Sequence, residues 1–118
     1  MNENSDPNEV VVFPSWEQMK ELLKEGVWLV MYYAPWCSPC RMADLVFRRL
    51  AEEPDMVGVR FAIVNVDDAG LNKETSDRVR SIPCFELWID GEYTGERYIG
   101  TQDLKYQLTL LIVENVPS

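Results

Sequence analysis

The 118-residue chain holds three cysteines and no histidine. Two of the cysteines form Cys37-Ser38-Pro39-Cys40, placed between a near-continuous apolar run, Val27 to Tyr33, and a segment of helical spacing. At a helix N-terminus the unpaired backbone N–H groups and the positive end of the helix dipole favour an anion, so a thiol there ionises more readily. The thiolate is the nucleophile of disulfide exchange. Cys40, one turn further into the helix, is spaced to attack a mixed disulfide formed at Cys37, release the reduced partner and close a Cys37–Cys40 bond. Pro39 is compatible with a first helical turn, where its missing N–H has no partner to lose. The lack of histidine removes Ser-His and Cys-His pairs and imidazole metal ligands, so catalysis must come from thiols, carboxylates or lysines. Two blander readings stand beside this one. Structural zinc would need two more ligands where the chain offers only Cys84. A purely structural disulfide across so short a loop would restrain the unfolded chain only weakly.

The elements that must carry this pair follow from the flanking patterns. Val10 to Phe13 reads as a strand, and Ser15 with Gln18 fits a capping box opening a helix through Trp16, Met19, Leu22 and Leu23 to a stop at Gly26. Val27 to Tyr33 has no alternation, as expected of a strand buried on both faces. A second helix runs from Cys37 through Met42, Leu45, Val46 and Leu50 to about Glu53 and Pro54. Val59 to Val66 is a third strand, which makes a parallel strand–helix–strand unit with a right-handed crossover. Asp67 to Ser81 is polar, anchored by Leu71 and Val79, and reads as a loop with one short helix. Cys84 to Ile89 and Glu92 to Ile99 flank Asp90-Gly91, a type I′ hairpin signal. Leu104, Leu108, Leu111 and Ile112 mark a last helix. The expected fold class is α/β: a central mixed sheet of about five strands flanked by about four helices.

Composition bounds the partners. At 47% hydrophobic and 26% charged, the chain is ordinary for a globular domain, expected over residues 10–118 behind a flexible polar tail, residues 1–9. A net charge of −9 repels phosphate backbones and anionic lipid, so neither nucleic acid nor membrane is an expected partner. With no apolar signal segment in the first residues and no run of spanning length, a soluble cytoplasmic location is expected.

The run Tyr32-Tyr33-Ala34-Pro35-Trp36-Cys37-Ser38-Pro39-Cys40-Arg41 resembles the active-site segment of the thioredoxin superfamily. Its Ala-Pro-Trp-Cys start is similar to protein disulfide isomerase domains and its second proline to thioredoxin. The resemblance extends over about Val10 to Val113, through Asn65-Val66-Asp67, the Ile82-Pro83 loop, Asp90-Gly91-Glu92 and Gly100. It implies a thioredoxin fold and a thiol–disulfide oxidoreductase with Cys37 and Cys40 catalytic. Pro35, Ser38 and Pro39 would shape the active-site loop. Pro83 would be cis and set against Cys37, and Trp36, Ile82, Pro83 and Gly100 would hold an extended substrate by strand addition. Disulfide-containing proteins are the implied substrates and an unidentified reductase or dithiol donor the implied partner, with no bound cofactor and no metal. Cys84, beside Pro83, is read either as a small packed hydrophobe or as a third redox thiol.

Departures from the family pattern at four positions bear on activity. The buried carboxylate expected six residues before the first cysteine is Met31, and the lysine expected beside it is Ile63. Losing both leaves neither a buried charge nor an orphan donor. With no internal base Cys40 should keep its proton to higher pH, so a weak or specialised exchanger is expected. Ser38 and Pro39 replace a glycine and the isomerases' histidine; losing the histidine favours a more reducing potential, and a Ser38 hydrogen bond offsets part of that. Tyr32 and Tyr33 read as core or sheet wall, and Arg41, Arg48 and Arg49 as a solvated basic face. The alternative function is a binding module of the same fold with a slow or vestigial dithiol.

Overall fold

The computed structural model describes residues 9–13, 15–67, 70, 71 and 73–116; the expected tail, apart from Glu9, lies outside them. Among the described residues five strands and four α-helices follow in the order β1 (Val10–Phe13), α1 (Trp16–Leu23), β2 (Val27–Tyr33), α2 (Ser38–Ala51), β3 (Val59–Asn65), α3 (Lys73–Arg78), β4 (Cys84–Ile89), β5 (Glu92–Ile99) and α4 (Leu104–Asn115). The strand order is β1-β3-β2-β4-β5. β1 and β2 both run parallel to β3, while β4 is antiparallel to β2 and to β5. This is the thioredoxin fold.

β2 is the central strand of the sheet, and the absence of alternation in its sequence has that cause: Trp28 to Tyr32 are all buried. Leu29 and Met31 face one cluster with Phe47, Phe61 and Phe85, closed by α2 and α4. Trp28, Val30 and Tyr32 face the other, with Trp16, Met19 and Leu23 from α1. Phe47 lies 5.1 Å from Phe61 and 5.8 Å from Phe85 between ring centroids, which seats α2 on the sheet.

The hairpin forms as its Asp-Gly pair requires, with φ of 49° at Asp90 and 89° at Gly91. α1 is capped by Ser15, whose Oγ accepts the Gln18 N–H at 3.3 Å, but it ends at Leu23 rather than at Gly26. The apolar stripe read for α2 is corrected. Met42 and Leu45 are exposed, and the buried face is Cys40, Ala43, Phe47, Leu50 and Ala51. Small Ala43 lets the helix sit close to the sheet and Phe47 fills the space beneath it, so size complementarity rather than hydrophobicity chose the face. Leu22 is likewise exposed while Leu23 is buried. Among the described residues no helix is long and apolar enough to cross a membrane.

Candidate active site

The site lies where β2 ends and α2 begins. β2 carries the chain to the end of the sheet, Ala34 N-terminal to the cap is buried, and the Cys37 N–H returns to the Ala34 carbonyl at 3.0 Å. This tight turn delivers Cys37 to the N-cap of α2, with Ser38 and Pro39 in the first turn. The Cys40 backbone N–H donates to Cys37 Sγ at 3.2 Å. The same N–H also reaches the Cys37 carbonyl oxygen at 3.2 Å, so it is shared between the two acceptors, and the cap position sets the sulfur at the positive end of the helix dipole. Cys37 and Cys40 are joined as a disulfide, with Cα atoms 5.3 Å apart.

The loop before β4 comes alongside. The Ile82–Pro83 peptide bond is cis. Cys37 Sγ lies 3.9 Å from the Ile82 carbonyl oxygen. The Pro83 carbonyl in turn accepts the Gly100 N–H at 3.0 Å, so the end of β5 is tied to the same loop. Gly100 has φ of 109°, a conformation that suits glycine. Cys37, Ile82, Pro83 and Gly100, widely spaced in sequence, are thus linked by direct contacts, with Cys37 and Pro83 buried, while Trp36, next to Cys37 in the chain, is 69% exposed. Pro35, beside Trp36, lines a cavity of about 250 Å³ behind the disulfide, together with Cys37, Cys40, Arg41, Asp44 and Ile63.

Trp36 has a partner that the sequence reading missed. Its indole N–H donates to Asp67 Oδ2 at 2.8 Å, and the Asp67 N–H donates to Asn65 Oδ1 at 2.9 Å. The signal available was the Asn-Val-Asp ending of β3, which in a parallel sheet must emerge at the same edge as the end of β2.

Cys84 is fully buried, on the sheet face that packs against α1, among the cluster that includes Trp28 and Tyr32. The cysteine pair packs instead with Ala34, Tyr33, Val66 and Ile82. Burial first, and then the Glu86 carboxylate, push the Cys84 thiol up to about 12, which keeps it protonated. The Cys84 environment is that of a packed apolar group.

A second feature escaped the sequence reading. Glu86 is fully buried in β4, and its carboxylate takes four donors: Arg78 Nε at 2.6 Å and Nη2 at 3.0 Å, the Tyr32 hydroxyl at 2.9 Å and Trp88 Nε1 at 3.1 Å. The Arg78 guanidinium also lies 4.4 Å from the centre of the Tyr93 ring. Burial and then the neighbouring Glu86 charge raise Tyr32 well above its usual value, so it stays a neutral donor. This satisfied network holds α3 to the sheet on the face away from Met31. A lone Glu inside the apolar run Cys84 to Ile89 was its signal.

Among the described residues no group of His, Cys, Asp and Glu could hold a metal. A family model described as Thioredoxin matches residues 9–112. Thioredoxin from Chlamydia pneumoniae is 32% identical over 95 residues, covering 80% of this chain and 89% of the relative. Among solved structures, a mutant thioredoxin from Halobacterium salinarum superposes with a TM-score of 0.75 at 27% identity over 97% of each chain. Thioredoxin from Trypanosoma brucei brucei gives 0.72 at 25%, covering 96% of this chain and 99% of that one. These likenesses, with the joined cysteine pair, favour exchange chemistry over a binding module.

Proposed function

The chain belongs to the thioredoxin family and is a thiol–disulfide oxidoreductase, and from that premise we propose that Cys37 is the attacking sulfur and Cys40 the resolving one. The supporting observation is the Cys40 N–H aimed at Cys37 Sγ at 3.2 Å on the cap of α2. In the reduced state the Cys37 thiolate attacks a substrate sulfur and expels one substrate thiolate. The mixed disulfide so formed is then opened by Cys40, which closes the intramolecular bond and releases the second substrate thiol. Two electrons pass from the dithiol to the substrate, and a reductase or small dithiol returns them.

The substrate strand lies along Ile82, Pro83 and Gly100, with Trp36 beside it, its backbone pairing with Ile82 in the manner of strand addition. Pro35, Ser38 and Pro39 shape the turn, and Cys84 takes no part. The acidic surface and the need for reduced thiols fit a reducing cytoplasm and protein substrates rather than nucleic acid or membrane. Resolution is slow compared with family members that bury a carboxylate at the position of Met31, because that position offers no base to Cys40.

Reduction of insulin disulfides driven by dithiothreitol tests the roles. Turnover is expected to vanish in Cys37→Ser, and Cys40→Ser is expected to accumulate a mixed disulfide at Cys37. Trapping at position 40 in a Cys37→Ser variant, with none in Cys40→Ser, would reverse the assignment.

A further inference from the structure

The departure of the Cys40 proton needs a route. Cys40 is only 3% exposed and lines the cavity of about 250 Å³ between the start of α2 and the β1 and β3 side of the sheet. That volume is large enough for several waters. β1 and β3 present Val12 and Ile63 to it, which cannot take a proton, and the end of β2 presents Tyr33. The remaining charged groups come from α2 itself: Arg41, Asp44 and Arg48. Asp44 is therefore the carboxylate on this wall, among the described residues. It stands four residues after Cys40, one turn along the same helix face. Arg48 Nε donates to Asp44 Oδ1 at 3.0 Å, which anchors the half-buried side chain while leaving a carboxylate with capacity for further hydrogen bonds.

We propose that Asp44, acting through water in this cavity, accepts the proton of Cys40 during resolution of the mixed disulfide. The proposal rests on the assignment of Cys40 as resolving thiol. The Cys40 S–H bond breaks as its electron pair attacks Cys37 Sγ; the proton passes through water to the Asp44 carboxylate. The Cys37–substrate bond breaks, and the substrate leaves as a thiolate. Asp44 then returns the proton by way of solvent to that thiolate. The strands line the cavity with Val12, Tyr33 and Ile63, none of them a carboxylate, so among the described residues the carboxylate on its wall comes from the helix.

Stopped-flow mixing of the reduced protein with an equimolar aromatic disulfide whose released thiolate is coloured separates the two steps. The first release reports attack by Cys37 and the second reports resolution by Cys40. In Asp44→Asn the second phase is expected to slow by about 100-fold at neutral pH, the low end for general base action, with the first phase unchanged. The wild-type second phase should hold its rate below neutral pH, whereas that of the variant should fall in proportion to hydroxide. Asp44→Glu should restore most of the rate, which a merely structural loss would not predict. Thermal unfolding of Asp44→Asn is expected within a few degrees of wild type, since an exposed i,i+4 pair contributes little.

An unchanged second phase in Asp44→Asn overturns the proposal. An accelerated one overturns it too, and would mean that Arg48, released from its partner, stabilises the Cys40 thiolate. Wild-type protein that shows no second release would instead overturn the assignment of Cys40 itself, and this inference with it.

Discussion

Met31 on β2 stands opposite Ile63 in the parallel register of β2 and β3, and both side chains are buried in the cluster closed by α2 and α4. The two positions at which the resemblance implies a carboxylate and a lysine are thus filled by adjacent apolar side chains. Removing one member of such a pair would strand the other; removing both leaves a continuous core. Stability and proton transfer pull in opposite directions at this place.

Met31→Asp would reverse that choice. An unpaired carboxyl in this cluster is expected to cost roughly 3 kcal/mol or more at neutral pH. Burial raises its folded pKa above the unfolded value, so the loss is small in acid and grows as pH rises from about 4 through the folded value. Second-phase release in the stopped-flow assay is expected to quicken above that pKa. Denaturant unfolding across pH checks the first outcome, and a variant as stable as wild type at neutral pH contradicts it.

Breaking the buried network on the opposite face is costly for a different reason. Glu86→Ala leaves Arg78, Tyr32 and Trp88 without their shared acceptor. The expected loss is about 3–5 kcal/mol, read as a lower urea midpoint. Glu86→Gln keeps an acceptor and should lose less. Replacing Glu86 and Arg78 together by leucine should lose less than Glu86→Ala alone, which a double-mutant cycle measures.

Cys84 should resist iodoacetamide in the native protein and react on unfolding, because its thiol is buried and pushed up to about 12. The same shift fixes a sign. The folded state holds the Cys84 proton between about 9, the ordinary value, and about 12, so stability is full below that window and falls as pH rises through it. The slope from this one group is at most about 1.4 kcal/mol per pH unit. Cys84→Ala should flatten the alkaline limb of the stability curve.

Asp67 orients Trp36 by accepting its indole N–H at 2.8 Å. Asp67→Ala frees the exposed ring, and a several-fold rise in KM for insulin is expected, with the rate of Cys37 alkylation in the reduced protein unaltered. Equal changes in both would mean that Asp67 acts on the thiol rather than on the docking of substrate.

The local chemistry was legible in the chain because it depends on neighbours along it. A Cys-x-x-Cys between an apolar run and a helical segment states its own geometry, since two intervening residues set one helical turn and the turn's orphan N–H groups meet the first sulfur. The strand β2, the Asp90-Gly91 hairpin and the sheet class were legible for the same reason: each is written in consecutive residues. The buried face of α2 was not, because Met42 and Leu45 are as apolar as Phe47 and only the space left beneath Ala43 selects between them. Nor were several pairings on the folded surface and in the core. Asp67 beneath Trp36, Glu86 gathering donors from α3 and two strands, and Asp44 sharing a cavity with Cys40 are pairings of sheet order and helix seating. Such contacts arise only when the sheet has chosen its strand order, a choice made by the summed burial of both faces.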